Sequence, residues 1–306
     1  SSDNLQLKAS WKRFALAPVS AQGLPTISKL AAAGSTDVRS FRDLLGCLLT
    51  PETLQTLRRY DDTFTFSFAG DLGGDSIEFS PLDIKGKLGA IQSDGKLTDF
   101  FGTRRLAAKG TLAVDFDRVT QLLAAAKLGD GVKLHGQTAK PFSIDAPVAG
   151  PFAAFVASGA LDAVLGLESV AYRGVTAGES DATAALKAGV LKLRYAPALA
   201  DGQILLDPEL RLEKGSLVMT LPSETPLAQE VKLTQPIVDE FLVKANPFFK
   251  GTVVSSGRFS VLMHSFRWET ARQKAPDKGL ALSATLTVKN LVAQPGPQLA
   301  ELFSMV

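Results

Sequence analysis

The chain has 306 residues, with 33 basic and 31 acidic side chains and a formal net charge of +2. Hydrophobic residues make up 45% and charged residues 21%, which is typical of a folded chain and excludes a disordered one. The charges are balanced and scattered, so nucleic acid is not expected as a partner. Phe occurs 18 times against 3 Tyr and 2 Trp. Because Phe has no polar group, this surplus favours a large apolar interior or groove, with an ordinary Phe-rich core as the alternative.

The first half of the chain predicts two helices, then strands, then a third helix. Residues 37–60 have the pattern of two helices, broken near Pro51, which suits the first position of a helix. Alternation of apolar and polar residues with a period of two predicts strands at 63–68 and 111–116, each with one buried face. Residues 117–128 carry apolar side chains at spacings of three and four, which predicts an amphipathic helix.

The second half alternates in the same way and contains two more predicted helices. Strands are predicted at 191–195, 203–206, 209–212, 216–221, 258–266 and 280–288. Amphipathic helices are predicted at 235–246 and 297–306. Glycine-containing turns, for example at 73–75, 93–95 and 200–202, separate the strands. Links this short join antiparallel neighbours, since parallel strands need long crossovers.

These elements predict a β-rich α+β fold: a long, curved antiparallel β-sheet, a groove-like meander, with short amphipathic helices capping or covering it. A sheet of about a dozen strands must curl or be covered. We interpret 1–306 as a single elongated β-rich region excised from a longer protein, with a candidate sub-domain split near 147–166. No run of about 18 apolar residues could span a membrane.

The sequence offers few groups for catalysis or metal binding. Its one cysteine, Cys47, lies in an apolar run, which predicts a buried side chain and excludes an intrachain disulfide. Both histidines, His135 and His264, fall in strand-like segments and have no partner at metal-ligand spacing. Motifs for a serine nucleophile or a phosphate-binding loop are absent. We therefore expect no enzyme: no catalytic residue, no metal and no cofactor.

Three carboxylates around a glycine turn are the exception to this shortage. Asp71, Asp75 and Glu78 could offer oxygen ligands to calcium, although their order does not match an EF-hand loop. Carboxylates are also the groups that a glycan-acting enzyme needs, and a distant partner would escape a motif search. A solvated turn is the simpler interpretation.

The later part of the chain resembles a known family. It has Val-Lys-Leu-Thr-Gln-Pro at 231–236, then Asn-Pro-Phe-Phe at 246–249, Gly-Arg-Phe-Ser-Val at 257–261 and Gln-Pro-Gly-Pro at 294–297. This succession resembles the large AsmA-like proteins of the bacterial envelope, especially the divergent planctomycete-type forms. The resemblance covers the chain from about Asp83 to its end. It rests on the succession of strand-like and helical segments and on Gly and Pro positions. The first eighty residues match least well.

The resemblance implies a cellular location and a function. AsmA-like proteins are anchored in the inner membrane by an N-terminal helix and fill the periplasm with a long curved sheet. The concave, apolar face of that sheet carries lipid between membranes. This chain would be a periplasmic piece without the anchor, with phospholipid or another apolar ligand as its partner and other envelope proteins as further partners. Nothing in the family is catalytic, so no catalytic residue carries over.

Three functions stay open: a lipid-conducting groove module, a structural or protein-interaction module with a closed core, and an unrecognised glycan-acting envelope enzyme. For the first, the inward apolar positions of the strands are the candidate groove lining. They are Phe64, Phe66, Phe68, Leu112, Val114, Leu280, Leu282 and Leu286. In a closed core, the same side chains would be packed under the helices.

Overall fold

The computed structural model describes residues 6–15, 26–37, 63–99, 102, 104–125, 130–148, 152–213, 216–245, 247–269, 280–294 and 296–304. Of these residues, 67% are in strands and 15% in helices, which confirms a β-rich fold with few, short helices. The helices predicted in 37–60, and Cys47, lie outside the described residues.

The described strands and helices are as follows. The strands are β1 (Gln6–Ala15), β2 (Thr26–Asp37), β3 (Thr63–Gly73), β4 (Ser76–Gly86), β5 (Gly89–Thr98), β6 (Arg105–Val114), β7 (Val132–His135), β8 (Lys140–Pro147), β9 (Ala160–Leu167), β10 (Ser169–Tyr172), β11 (Val175–Ala177), β12 (Ser180–Lys187), β13 (Val190–Tyr195), β14 (Ala198–Leu199), β15 (Gly202–Ile204), β16 (Glu209–Glu213), β17 (Ser216–Leu221), β18 (Thr225–Lys232), β19 (Val253–Glu269) and β20 (Leu280–Gln294). The helices are α1 (Phe116–Ala125), α2 (Phe152–Ser158), α3 (235–245) and α4 (Pro297–Ser304), and a single 3-10 turn covers Pro247–Phe249.

The chain divides into two compact units. Unit 1 comprises 1–130, 135–166 and 183–191, and unit 2 comprises 131–134, 167–182 and 192–306. Four of the five dividing points fall inside strands, namely β7, β9, β12 and β13, and the fifth lies between Asp130 and Gly131. That the chain forms one elongated region stays a prediction.

Unit 1 is an antiparallel meander in which strands that follow one another in the chain are neighbours in the sheet. The pairs run β1–β2, β2–β3, β3–β4, β4–β5, β5–β6, β6–β8 and β8–β9, all antiparallel. Gly74, with φ of 61°, supplies the left-handed residue of the two-residue turn between β3 and β4. The sheet does not close on itself, which confirms the open antiparallel arrangement predicted from the alternation.

The two helices in the described part of unit 1 lie at opposite ends of its strands. Helix α1 follows the end of β6, and its first turn is capped by the Asp115 carboxylate, which accepts a hydrogen bond from the Arg118 backbone N–H at 2.9 Å. Helix α2 follows the end of β8, which runs antiparallel to β6. Because Asp115 ends the strand, Phe116 is the first residue of α1 and not, as the alternation predicted, part of a strand.

The turn predicted at 93–95 was wrong. Ser93 and Gly95 lie inside β5, where they pair with Leu82 and Phe79 of β4. The two residues of β4 between these partners form a bulge, so the ladder continues across the polar residues without a turn.

Unit 2 is organised around β19, a strand of 17 residues. One edge of β19 pairs with β18 over residues 258–263 and with β17 over its last four residues, while the other edge pairs with β20 along almost its whole length. Strand β18 continues the sheet through β15 and β14, and β17 continues it to β16. All of these pairings are antiparallel, as predicted.

Helix α3 forms the core of unit 2. It begins as Gln235–Ile237, widens to a π-helix over Val238–Leu242 and ends as Val243–Ala245. Ile237, Val238 and Leu242 are at most 2% exposed. They pack with residues of β11, β14 and β18, namely Ala177, Leu199, Ala228 and Val231. The helix predicted at 235–246 is therefore confirmed, and it is buried against sheet on its apolar side.

Candidate apolar binding faces

One face of the unit 1 sheet is apolar because the strand register aligns the apolar positions of successive strands. Phe66 lies opposite Ile84, Ile84 opposite Ile91, and Ile91 opposite Leu112. The neighbouring row consists of Phe68, Leu82, Ser93, Gly110 and Phe142. We call these nine residues the unit 1 apolar face.

The unit 1 apolar face is only partly buried. Among its nine residues only Ser93 is buried, at 4% exposure, and the other eight have intermediate exposure. A packed core would bury most of them, as the α3 core of unit 2 does. The described residues of unit 1 therefore leave this face partly in contact with solvent.

The opposite face of the unit 1 sheet is polar. Lys96 of β5 pairs with Glu78 of β4 at 2.7 Å, and Arg105 of β6 pairs with Asp145 of β8 at 2.6 Å. Hydrogen bonding and Coulombic attraction from Asp145 raise the pKa of Arg105. A sheet with one wet and one apolar face is typical of antiparallel architectures.

Unit 2 has a second apolar face, built in the same way. Across β16, β17, β19 and β20, Leu210, Met219, Trp268 and Leu280 form one row. Leu221, Phe266 and Leu282 form the next. We call these seven residues the unit 2 apolar face. Leu280 and Leu282 are 51% and 57% exposed, which is unusual for large apolar side chains aligned in rows.

The core around α3 covers β19 and β20 only beyond the unit 2 apolar face. Farther along β19 and β20, Phe259, Val261 and Val288 pack against the core around α3. Leu286, which pairs with Val261, is already 38% exposed, and the rows at Phe266 and Trp268 lie beyond it along the strands. Within the described residues, the apolar surface is therefore packed at Phe259, Val261 and Val288 and exposed at Leu280 and Leu282.

A buried hydroxyl is found close to this sheet. Tyr195 of β13 bridges to Leu206, and its hydroxyl oxygen is buried with no hydrogen-bond partner among the described residues. Burial raises the pKa of the Tyr195 phenol. A buried hydroxyl without a hydrogen-bond partner lowers the stability of the fold by about 1–3 kcal/mol.

The other face of the unit 2 sheet carries ion pairs. Glu209 is held by Lys192 at 2.7 Å and by Arg211 at 2.9 Å, and Arg267 reaches Glu213 at 3.1 Å. Hydrogen bonds from Lys192 and then Arg211 lower the pKa of Glu209. This side of the sheet carries charged side chains around the buried Val218.

The Glu209 cluster predicts a pH dependence of stability. A carboxylate whose pKa is lowered in the folded state stabilises it above the unfolded value of 4.5, and this contribution is lost as the pH falls through the folded pKa. We expect Glu209→Gln to cost roughly 0.2–1 kcal/mol at neutral pH, the range of such ion pairs. Urea unfolding at several pH values should show the difference from wild type vanish in acid. A difference that is the same at all pH values would contradict the assignment.

The predicted groove residues fall into two groups, one in each unit. Phe66, Phe68 and Leu112 lie on the unit 1 apolar face, and Val114, opposite Gly89, is half-buried at the end of β6. The backbone of Phe64 pairs with Thr36, and its side chain lies outside the described residues. Leu280 and Leu282 lie on the unit 2 apolar face, and Leu286 lies next to it on β20.

Other residues of the two faces were missed from the sequence. They are Leu82, Ile84, Ile91, Phe142, Leu210, Met219, Leu221, Phe266 and Trp268, with Ser93 and Gly110 between them. Several stand in predicted strands, but only the pairing register shows which of them share a face. Strands β4 and β5 were not predicted at all, because Pro81 and Gly95 interrupt their alternation.

The polar groups considered for chemistry are engaged in local contacts. His135 pairs with Asp117 at 2.5 Å, and His264 lies between Glu224 at 2.9 Å and the Thr285 hydroxyl at 2.7 Å. Within the described ranges, no three His, Cys, Asp or Glu side chains are grouped so that they could hold a metal ion. This holds for Asp71, Asp75 and Glu78, which lie in β3, the following turn and β4.

Comparisons with protein-family models, with curated proteins and with solved structures give no match. Among the helices in the described part of the chain, none has the length and apolar character needed to cross a membrane. Any functional inference therefore depends on the surfaces themselves, and the two incompletely buried apolar faces are their most distinctive feature.

Proposed function

We propose that this chain is a non-enzymatic, AsmA-like module that binds phospholipid or another apolar ligand on its apolar sheet faces. In its parent protein, anchored in the inner membrane, it conducts that ligand through the periplasm between the envelope membranes. One observation carries the proposal: rows of large apolar side chains that a closed core would bury are only partly buried in unit 1 and up to 57% exposed in unit 2.

The exposed rows offer enough apolar surface for useful affinity. Fully covering one Leu or Phe side chain is worth roughly 1.5–3 kcal/mol. Several side chains covered by one acyl chain would outweigh the cost of immobilising the ligand, which is about 4 kcal/mol or more. The ion pairs on the opposite face of each sheet keep that side in water, so a ligand has one apolar side of each sheet to bind.

A structural or protein-interaction module with a closed core is the second candidate. The core around α3, where Ile237 and Val238 are at most 1% exposed, favours it for one end of unit 2. It does not account for the exposed rows at Leu280 and Leu282. A closed-core module predicts that the purified chain carries no lipid.

Lipid binding is tested with two variants that add the same charge to neighbouring positions of β20. Leu282→Glu places a carboxylate on the unit 2 apolar face, while Ser283→Glu, the matched control, places it on the opposite face. Because both positions are exposed, neither change should unfold the chain. We expect Leu282→Glu to weaken uptake of a fluorescent phospholipid about tenfold. The bound lipid would no longer cover a Leu side chain at this position, a contact worth roughly 1.5 kcal/mol.

The wild-type protein should also carry lipid from the cell. Mass spectrometry of organic extracts of the purified chain is expected to detect phospholipid in wild type and in Ser283→Glu, and less in Leu282→Glu. Absence of both co-purifying lipid and fluorescent-lipid uptake in wild type would refute the proposal. Equal uptake by the two variants would refute the assignment to the unit 2 apolar face.

A further inference from the structure

Strand β20 leaves one of its edges open. It pairs with β19 from Trp268 opposite Leu280 to Val253 opposite Gln294, and no strand in the described part of the chain pairs with its other edge. An open edge of 15 residues presents a long row of backbone N–H and C=O groups that can pair with another strand.

Residues 280–288 of β20 lack the features that protect open edges, and the bulge of this strand, at Asn290, lies beyond them. Residues 280–288 read Leu-Ala-Leu-Ser-Ala-Thr-Leu-Thr-Val, with no charged residue, no Pro and no Gly. The one charged residue of the strand, Lys289, is paired with Glu230 at 2.8 Å. Natural edge strands are kept apart by charges, Pro or bulges. By contrast β1, which also has one edge without a described partner, carries Lys8, Lys12 and Arg13.

We propose that β20 pairs edge to edge with β20 of a second copy of this chain, antiparallel, with the two-fold axis at Ala284. In this register Leu282 faces Leu286 of the second copy and Leu280 faces its Val288. On the other side of the sheet, Ser283 faces the second copy's Thr285. Apolar residues thus meet apolar residues and small polar residues meet each other, which is the pairing that stabilises antiparallel strands.

A second copy fits this edge because the segment is complementary to itself. Residues 280–288 carry no charge, so no like charges oppose each other, and the small side chain of Ala284 stands where the two copies are closest. Lys289 lies just beyond the paired segment. The two-fold axis is perpendicular to the sheet, so the unit 2 apolar faces of both copies lie on the same side and join into one surface. The pairing uses the backbone edge and does not depend on lipid binding.

Disulfide trapping tests the register. In a Cys47→Ser background, Ala284→Cys should form a covalent dimer under mild oxidation, because directly opposite residues have Cα atoms about 4.5–5.5 Å apart, within disulfide range. Ala281→Cys alone and Thr287→Cys alone should not cross-link, whereas an equimolar mixture of the two should, since each faces the other across the axis. No dimer with Ala284→Cys, or a dimer with Ala281→Cys alone, would overturn the proposal.

A charge exchange tests the pairing without cysteine. Ser283→Lys with Thr285→Lys places like charges opposite each other twice, while Ser283→Lys with Thr285→Glu places opposite charges there. Both variants lose the contact between Thr285 and His264, so they are matched. By sedimentation at equal concentration, wild type and the Lys–Glu variant should be dimers. The Lys–Lys variant should dissociate with a Kd raised about tenfold or more, because two pairs of like charges then face each other across the axis.

The sedimentation experiment, together with phospholipid uptake, also distinguishes failure of this pairing from failure of the proposed function. A monomeric wild type, or equal Kd values for the two variants, would overturn the pairing even if the chain takes up phospholipid. A dimeric wild type that takes up no phospholipid would support the pairing and count against the proposed function. If wild type is monomeric and β20 pairs only with a strand of another protein, the second copy is ruled out as the occupant.

Discussion

Replacement of Gly110 by Ala is expected to destabilise unit 1 by about 3 kcal/mol or more. A Cβ atom at Gly110 would lie 1.9 Å from the backbone carbonyl oxygen of Gln92 and 2.6 Å from the Cα atom of Ser93. Both are backbone atoms of the neighbouring strand, so no side chain can rotate away. Strand β6 would have to move from β5, and the ladder hydrogen bonds around this point would be lost.

The control for Gly110 is another glycine of the same sheet. A Cβ atom at Gly73 has nothing within 4 Å, and the backbone there is not in the left-handed region. Gly73→Ala should therefore be neutral or stabilise by about 0.4–1 kcal/mol, because it restricts the unfolded chain. Hydrogen exchange followed by mass spectrometry resolves the two units, and peptides from β5 and β6 should lose protection only in Gly110→Ala. Unchanged protection there would contradict the close strand approach.

Replacement of Ile237 by Ala is expected to destabilise unit 2 by about 3–4 kcal/mol. Ile237 is 1% exposed and belongs to the core that α3 forms with β11, β14 and β18. Removing three carbon atoms there leaves a cavity that sheet on one side and helix backbone on the other cannot fill. Leu242, on the same helix at 2% exposure, should behave in the same way.

Phe241, on the same helix, is the control that distinguishes the effect of burial on stability from the effect of side-chain size. It is larger than Ile237 but 44% exposed, and its main described contact is the ring of Tyr172, with centroids 5.8 Å apart. Phe241→Ala should cost only about 1 kcal/mol, the worth of one aromatic pair. The chain has two Trp, and in a Trp11→Phe background the fluorescence of Trp268 reports unit 2 alone. Equal urea midpoints for the Ile237 and Phe241 variants would contradict the α3 core.

Local pattern was enough to predict much of the fold. The alternation at 63–68, 216–221 and 280–288 predicted β3, β17 and β20, and the spacing of apolar residues predicted α1 and α3. Where the prediction failed, a neighbouring strand decided the outcome. Ser93 and Gly95 favour a turn by themselves, but β4 supplies a bulge that keeps them in the sheet. Sequence pattern carries no information about such a partner.

The candidate site could be predicted only in part. Alternation shows which residues of one strand share a side, so Phe66 and Phe68 were placed together, as were Leu280 and Leu282. It cannot show that Phe66 aligns with Ile84 or Leu280 with Trp268, because register depends on turns and bulges elsewhere. Whether a face is covered depends on where α3 packs, which is a long-range property. The AsmA-like resemblance stays a prediction.

The position of α3 also gives the unit 2 apolar face a polarity along its length. If the chain binds an amphiphile as proposed, the ligand would meet packed side chains near Phe259 and Val261 and water near Leu280. Its hydrocarbon tail would then be more stable at the packed end and its head group at the wet end, so the proposed function implies one preferred orientation of the ligand.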